Sequence, residues 1–104
     1  AVLMPYVLIA NRPAIESRID ALSGYIGIQN PCFSRFLDWI LELRDKLKIP
    51  PDLNTLGIDD HHLSEVGKLA TEDPSSITNP IQFSPKQYRE IFRRALYGQL
   101  GDVL

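Results

Sequence analysis

The chain has 104 residues, 44% of them hydrophobic and 23% charged, enough apolar material for one small core and too much for a disordered segment. Its formal net charge of -2 gives no electrostatic reason to expect a nucleic acid or an acidic membrane as partner. One cysteine, Cys32, excludes an intrachain disulfide framework and agrees with a reducing, cytoplasmic setting.

The segment Ala1-Val2-Leu3-Met4-Pro5-Tyr6-Val7-Leu8-Ile9-Ala10 is apolar almost without interruption. No Ser, Thr, Asp or Asn precedes it to satisfy the free N–H groups of a first helical turn, and so dense a run needs cover on more than one side. The chain is therefore expected to enter partway through a buried helix, as a piece of a larger protein. A transmembrane helix takes about 20 apolar residues, and a secretory signal needs a basic lead and a small-residue cleavage site. The run ends at Asn11-Arg12-Pro13 and meets neither demand. An ordinary N-terminal core helix is the alternative.

Ile15, Ile19, Leu22 and Ile26 then recur at helical steps, and this amphipathic helix should fail around 24–27. Asn30 is the expected cap of the next helix, with Pro31 at its first position. Phe33, Leu37, Ile40, Leu43 and Leu47 form its expected buried stripe, with Phe36 and Trp39 on the flanks. Pro50-Pro51 ends it, because the second proline forces the first into extended backbone and neither offers an N–H.

Leu53, Leu56 and Ile58 suggest a short turn pressed onto the core. Asp59 is the expected cap of a helix carrying Leu63, Val66, Leu69 and Ala70 that ends by Asp73-Pro74. A polar loop follows to Phe83. Ser84-Pro85-Lys86-Gln87 reads as a capping box, Tyr88, Ile91, Phe92, Ala95 and Leu96 as the apolar face of the last helix, and Gly98 and Gly101 as its release. No stretch alternates as a strand does, and no internal repeat is present. The predicted class is all-α, with five main helices.

Asp59-Asp60-His61-His62 is the only cluster with metal-ligand chemistry, but adjacent helical residues point about 100° apart, so the two histidines cannot chelate one ion from one face. A solvated helix start with dipole-complementing aspartates is the better reading. Cys32 has no nearby histidine to activate it. Trp39 and Phe36 have the spacing of core packing. Arg89, Arg93 and Arg94 alternate with Lys86 and Glu90 as on an ordinary wet face rather than as a phosphate site. No residue stands out as catalytic, cofactor-binding or metal-ligating.

In order and spacing, Ala1-Val2-Leu3-Met4-Pro5, Asn11-Arg12-Pro13, Gly27-Ile28, Leu47-Lys48-Ile49-Pro50 with Leu53, Leu56-Gly57-Ile58, Asp73-Pro74 and Asn79-Pro80 resemble the C-terminal part of the iron-containing (group III) alcohol dehydrogenases. The resemblance spans nearly the whole chain. It implies that residues 1–104 are the C-terminal portion of the family's helical, dehydroquinate synthase-like, iron-binding domain. In that family an N-terminal α/β domain binds NAD or NADP through a glycine-rich turn, and one aspartate and three histidines hold a divalent iron.

The resemblance places both the nucleotide-binding domain and the metal-ligand segment before Ala1, the last ligand only a few residues upstream. It thus implies a parent enzyme that interconverts alcohols and aldehydes, a chain silent on its own, and the missing N-terminal part as partner. Gly24 and Gly27 follow a helix and lack the strand-turn-helix context of a dinucleotide fingerprint. Loops resembling 75–80 come near the mouth of the family's substrate channel, which makes Thr78 and then Asn79 the candidate channel-wall residues. The alternative is a stand-alone helical interaction module that binds a partner through the Val2 to Ile9 surface. If the fragment exists alone, its uncovered first helix is expected to self-associate through Val2, Leu3, Val7 and Leu8.

Overall fold

A computed structural model describes residues 2–100. Among them are four α-helices, α1 (Met4–Tyr25), α2 (Phe33–Lys46), α3 (Leu63–Glu72) and α4 (Pro85–Tyr97), with 3-10 turns at Asn54–Leu56 and Pro74–Thr78. The class is all-α as the sequence predicts, with no strand among the described residues.

The count of five helices is corrected to four, because the first two expected helices are one. α1 continues through Pro13, which lacks an N–H and crowds the carbonyl of Ile9 at a cost of about 3 kcal/mol. Contacts on either side of the proline hold the helix together. Before it, Tyr6 enters a core with Leu53, Ala95 and Leu96. After it, Ile19 enters a second core with Phe33, Phe36, Leu37 and Ile40. α1 is thus the shared wall of two small cores, and its register must persist from one to the other. As its sequence suggests, no side chain caps its start; Leu3 stands at the N-cap, with Pro5 in the first turn.

The entry to α2 also differs from expectation. Asn30 takes a left-handed conformation, φ 51°, and the helix starts two residues after Pro31, with Cys32 at the N-cap. Asparagine tolerates that conformation better than most residues, so Asn30 turns the chain rather than capping it. On α2, Phe36 belongs to the core, while Trp39 and Leu43 are partly exposed; Leu47, at its C-cap, is 61% exposed. The expected stripe is therefore rotated toward Phe36, the side that α1 covers.

α3 starts at Leu63 with His62 at its N-cap, and Asp59 instead accepts a hydrogen bond from the backbone N–H of His61 at 3.0 Å. Its end at Glu72 fits the expected stop at Asp73-Pro74. α4 opens with the expected capping box: the Gln87 N–H donates to Ser84 Oγ at 3.2 Å, and the Ser84 N–H to Gln87 Oε1 at 2.8 Å. It closes at Gly98, whose φ of 70° suits glycine. Gly101 lies outside the described residues. The backbone N–H of Leu53 donates to the carbonyl of Ala95 at 2.9 Å, fixing the post-α2 turn onto α4.

Candidate functional site

The 74–82 segment is built mainly from bonds within itself. Asp73 Oδ1 accepts from the N–H of Ser75 at 2.8 Å and from its hydroxyl at 2.5 Å, and the hydroxyl in particular holds the Asp73 carboxyl below its usual range. The Thr78 hydroxyl donates to the carbonyl of Ser75 at 2.8 Å. Gln82 Nε2 reaches the carbonyls of Ile77 at 3.1 Å and Asn79 at 3.2 Å. Ser76 Oγ donates to the carbonyl of Thr71, tying the loop to the end of α3.

The two sequence-predicted residues face different surroundings. Thr78 is exposed on the surface of the loop. Asn79 is half-buried and turned toward α1: its Nδ2 donates to Asn11 Oδ1 at 2.8 Å, and its Oδ1 accepts from Asn11 Nδ2 at 3.1 Å. Asn11 is only 3% exposed, although in the sequence it reads as no more than the end of an apolar run. The available signal was an amide in a helix that otherwise needs cover, since a buried amide demands a partner.

A cavity of about 270 Å³ lies beside the loop, lined by Ala70, Asp73, Ser75, Ser76, Asn79 and Tyr88. A more apolar one of about 300 Å³ opens between α1 and α4, with Tyr6, Ile9, Phe83, Ile91 and Arg94 among its walls. Glu90 on the rim of the latter accepts from Arg93 Nη2 at 2.6 Å and Arg94 Nε at 3.3 Å, and these bonds, Arg93's foremost, bring its carboxyl down to about 2. Two of the three arginines considered for a phosphate site are thus bonded to this carboxylate.

The other sequence candidates do not converge on this region. Asp59, Asp60 and His61 have donor atoms within 4.8 Å of one another, but all three are exposed. His61 Nδ1 sits 3.2 Å from Asp59, His62 Nδ1 sits 3.2 Å from Glu65, and the Tyr97 hydroxyl donates to Asp60 at 3.1 Å. The iron set implied by the resemblance needs three histidines, and the chain has two, adjacent and at the surface. The residues present do not fit that ion. Cys32 is exposed, and Phe36 stacks on Trp39 with ring centroids 6.0 Å apart, but only Phe36 lies in the core, the Trp39 ring being exposed rather than packed as its spacing suggests.

Of the four apolar residues expected to form a partner surface, Val2 packs against the Tyr6 core and Leu8 against the Ile19 core. Leu3 and Val7 remain exposed, together with Met4. No helix among the described residues is long and apolar enough to cross a membrane.

Comparison with known proteins gives one family. The family model described as "Fe-containing alcohol dehydrogenase family, C-terminal" matches residues 1–96. Alcohol dehydrogenase 4 of Saccharomyces cerevisiae (strain ATCC 204508 / S288c) is 27% identical over 97 residues, which cover 91% of this chain and 25% of the relative. Alcohol dehydrogenase 4 of Schizosaccharomyces pombe is 29% identical over 98 residues, 92% of this chain and 23% of the relative. The chain spans about a quarter of the length of the curated relatives it matches. No solved structure matches it. With a helical fold and a match that runs almost from end to end, the chain belongs to the Fe-containing alcohol dehydrogenase family and corresponds to its C-terminal region.

Proposed function

We propose that the chain is the C-terminal portion of the helical, dehydroquinate synthase-like domain of a cytoplasmic, NAD(P)-dependent, iron-containing alcohol dehydrogenase, and that it is catalytically silent alone. One observation carries this reading: the family match over residues 1–96 accounts for nearly all of this chain but only about a quarter of its relatives. In such an enzyme a bound nicotinamide would supply hydride transfer and a bound metal Lewis-acid chemistry toward the alcohol or aldehyde. Both belong to polypeptide beyond this chain, whose two surface histidines do not make the ligand set.

The chain's own part is to wall the site. Thr78 contributes its exposed side chain to the mouth of the substrate channel, and Asn79 holds the adjoining backbone. Support comes from the loop's architecture: its carbonyls are bonded internally, which leaves Thr78 outward on a fixed turn, and loops on rigid scaffolds commonly tune specificity. The upstream part of the enzyme is the partner, seated against the exposed Leu3, Met4 and Val7.

The test is alcohol oxidation by a polypeptide of the relatives' length that contains this chain. NAD(P)-dependent oxidation of a primary alcohol by the iron-loaded protein is expected. A folded, iron-loaded protein with no such turnover would overturn the assignment.

A further inference from the structure

Asn11 lies inside α1, where an amide withdrawn from water must find partners for both its donors and its acceptor. It finds them in two places. Its Nδ2 donates to the carbonyl of Val7 and to Asn79 Oδ1, both at 3.1 Å, and its Oδ1 accepts from Asn79 Nδ2 at 2.8 Å. Asn79 Nδ2 also donates to the carbonyl of Ile81 at 2.5 Å. Two amides 68 residues apart therefore face each other in a closed, reciprocal pair.

The pair ties the loop to α1. Most other side-chain bonds of the loop, from Ser75 to Asp73, Thr78 to Ser75 and Gln82 to the loop carbonyls, only shape it internally. Asn79 is also stiff on its far side. It precedes Pro80 and holds the extended backbone, φ -66° and ψ 137°, that a following proline favours. A displacement of the Asn79 side chain is consequently passed to the backbone and to its neighbour Thr78.

We propose that Asn11 is a positioning residue for substrate selection: through Asn79 it fixes the 74–80 loop against α1 and so sets where Thr78 stands in the channel wall. Asn11 itself touches no substrate. The inference rests on the channel-wall reading of Thr78, and its test separates the two.

In the full-length enzyme, Asn11→Ala, Asn79→Ser and Thr78→Leu are compared with the parent by kcat/KM for a short and a long primary alcohol, by KM for the nicotinamide, and by hydrogen exchange of the 75–79 backbone amides. Asn11→Ala should change the short-to-long ratio by about tenfold, leave the nicotinamide KM within roughly twofold, and speed exchange in the loop, because small displacements of a site wall are costly. Its effect should also be non-additive with Thr78→Leu, since both act through one side chain's position. If Asn11→Ala does not fold, Asn79→Ser must give the same shift from the loop side. A folded variant with faster loop exchange but an unchanged ratio, while Thr78→Leu does change it, overturns the positioning role and leaves the channel wall standing. An unchanged ratio in Thr78→Leu as well overturns the channel wall, and the positioning role with it.

Discussion

Gly67 and Pro85 meet where α3 crosses the first turn of α4, so closely that a Cβ placed on Gly67 would lie 2.3 Å from the carbonyl oxygen of Pro85. The obstacle is backbone, pinned by the capping box that starts α4, and it cannot swing aside as a flexible side chain would. Gly67→Ala should therefore push α3 off α4 and destabilise the fold by about 1–3 kcal/mol, although alanine is the better helix former. Urea unfolding measures this. A neutral or stabilised Gly67→Ala would mean that the two helices are farther apart than described.

Tyr6 makes a second long-range link, its hydroxyl donating to the carbonyl of Pro51 at 2.6 Å across 45 residues of sequence. Burial raises the phenol above its ordinary value even though Arg44 nearby pulls the other way. Tyr6→Phe keeps the ring in the core and deletes only the bond, so a loss of about 1 kcal/mol is expected by denaturant titration. An unchanged midpoint would show that water replaces the hydroxyl at no cost.

Glu90 predicts a pH dependence. Its carboxyl falls from 4.5 to about 2, mainly through the bonds from Arg93, so its contribution is present above pH 4.5 and is lost as pH falls from there toward 2. Nearly half of the side chain remains in water, and screening cuts the gain to ~0.5 kcal/mol. Glu90→Gln should be less stable than the parent by that amount at neutral pH, and the two should converge in acid. A gap that persists unchanged into acid would mean that the carboxylate is not its source.

Most helices were legible in the sequence because their signals are local. The capping box at Ser84 and Gln87, the stop at Asp73-Pro74 and the apolar spacing of Phe33, Leu37 and Ile40 each depend on a few neighbouring residues. Features set by distant parts of the chain were not. Pro13 reads as a break, and only the two cores flanking it show why α1 runs on. Leu43 and Leu47 read as buried, yet what covers α2 is decided by where α1 lies. In the candidate site, the loop and its residues Thr78 and Asn79 were suggested by the family resemblance alone. The Asn11–Asn79 pair was not, since nothing near Asn11 in sequence announces a partner 68 residues away.

The start of α1 makes a prediction for the chain in isolation. Leu3, Met4 and Val7 are 40%, 46% and 37% exposed, and exposed apolar groups on one helix end favour association. Light scattering on the purified 104-residue chain should find dimers or larger species, reduced by Leu3→Lys and Val7→Lys. A stable monomer at high concentration would show that this surface needs no partner.

Hydride transfer by the isolated chain is the most direct measurement of whether catalysis resides elsewhere in the enzyme. The folded 104-residue protein, supplied with ferrous iron, NAD⁺ or NADP⁺ and a primary alcohol, is expected to hold no stoichiometric iron and to form no reduced nicotinamide. Stoichiometric iron together with steady NADH or NADPH formation by this chain alone would contradict its assignment as the non-catalytic wall of a larger dehydrogenase.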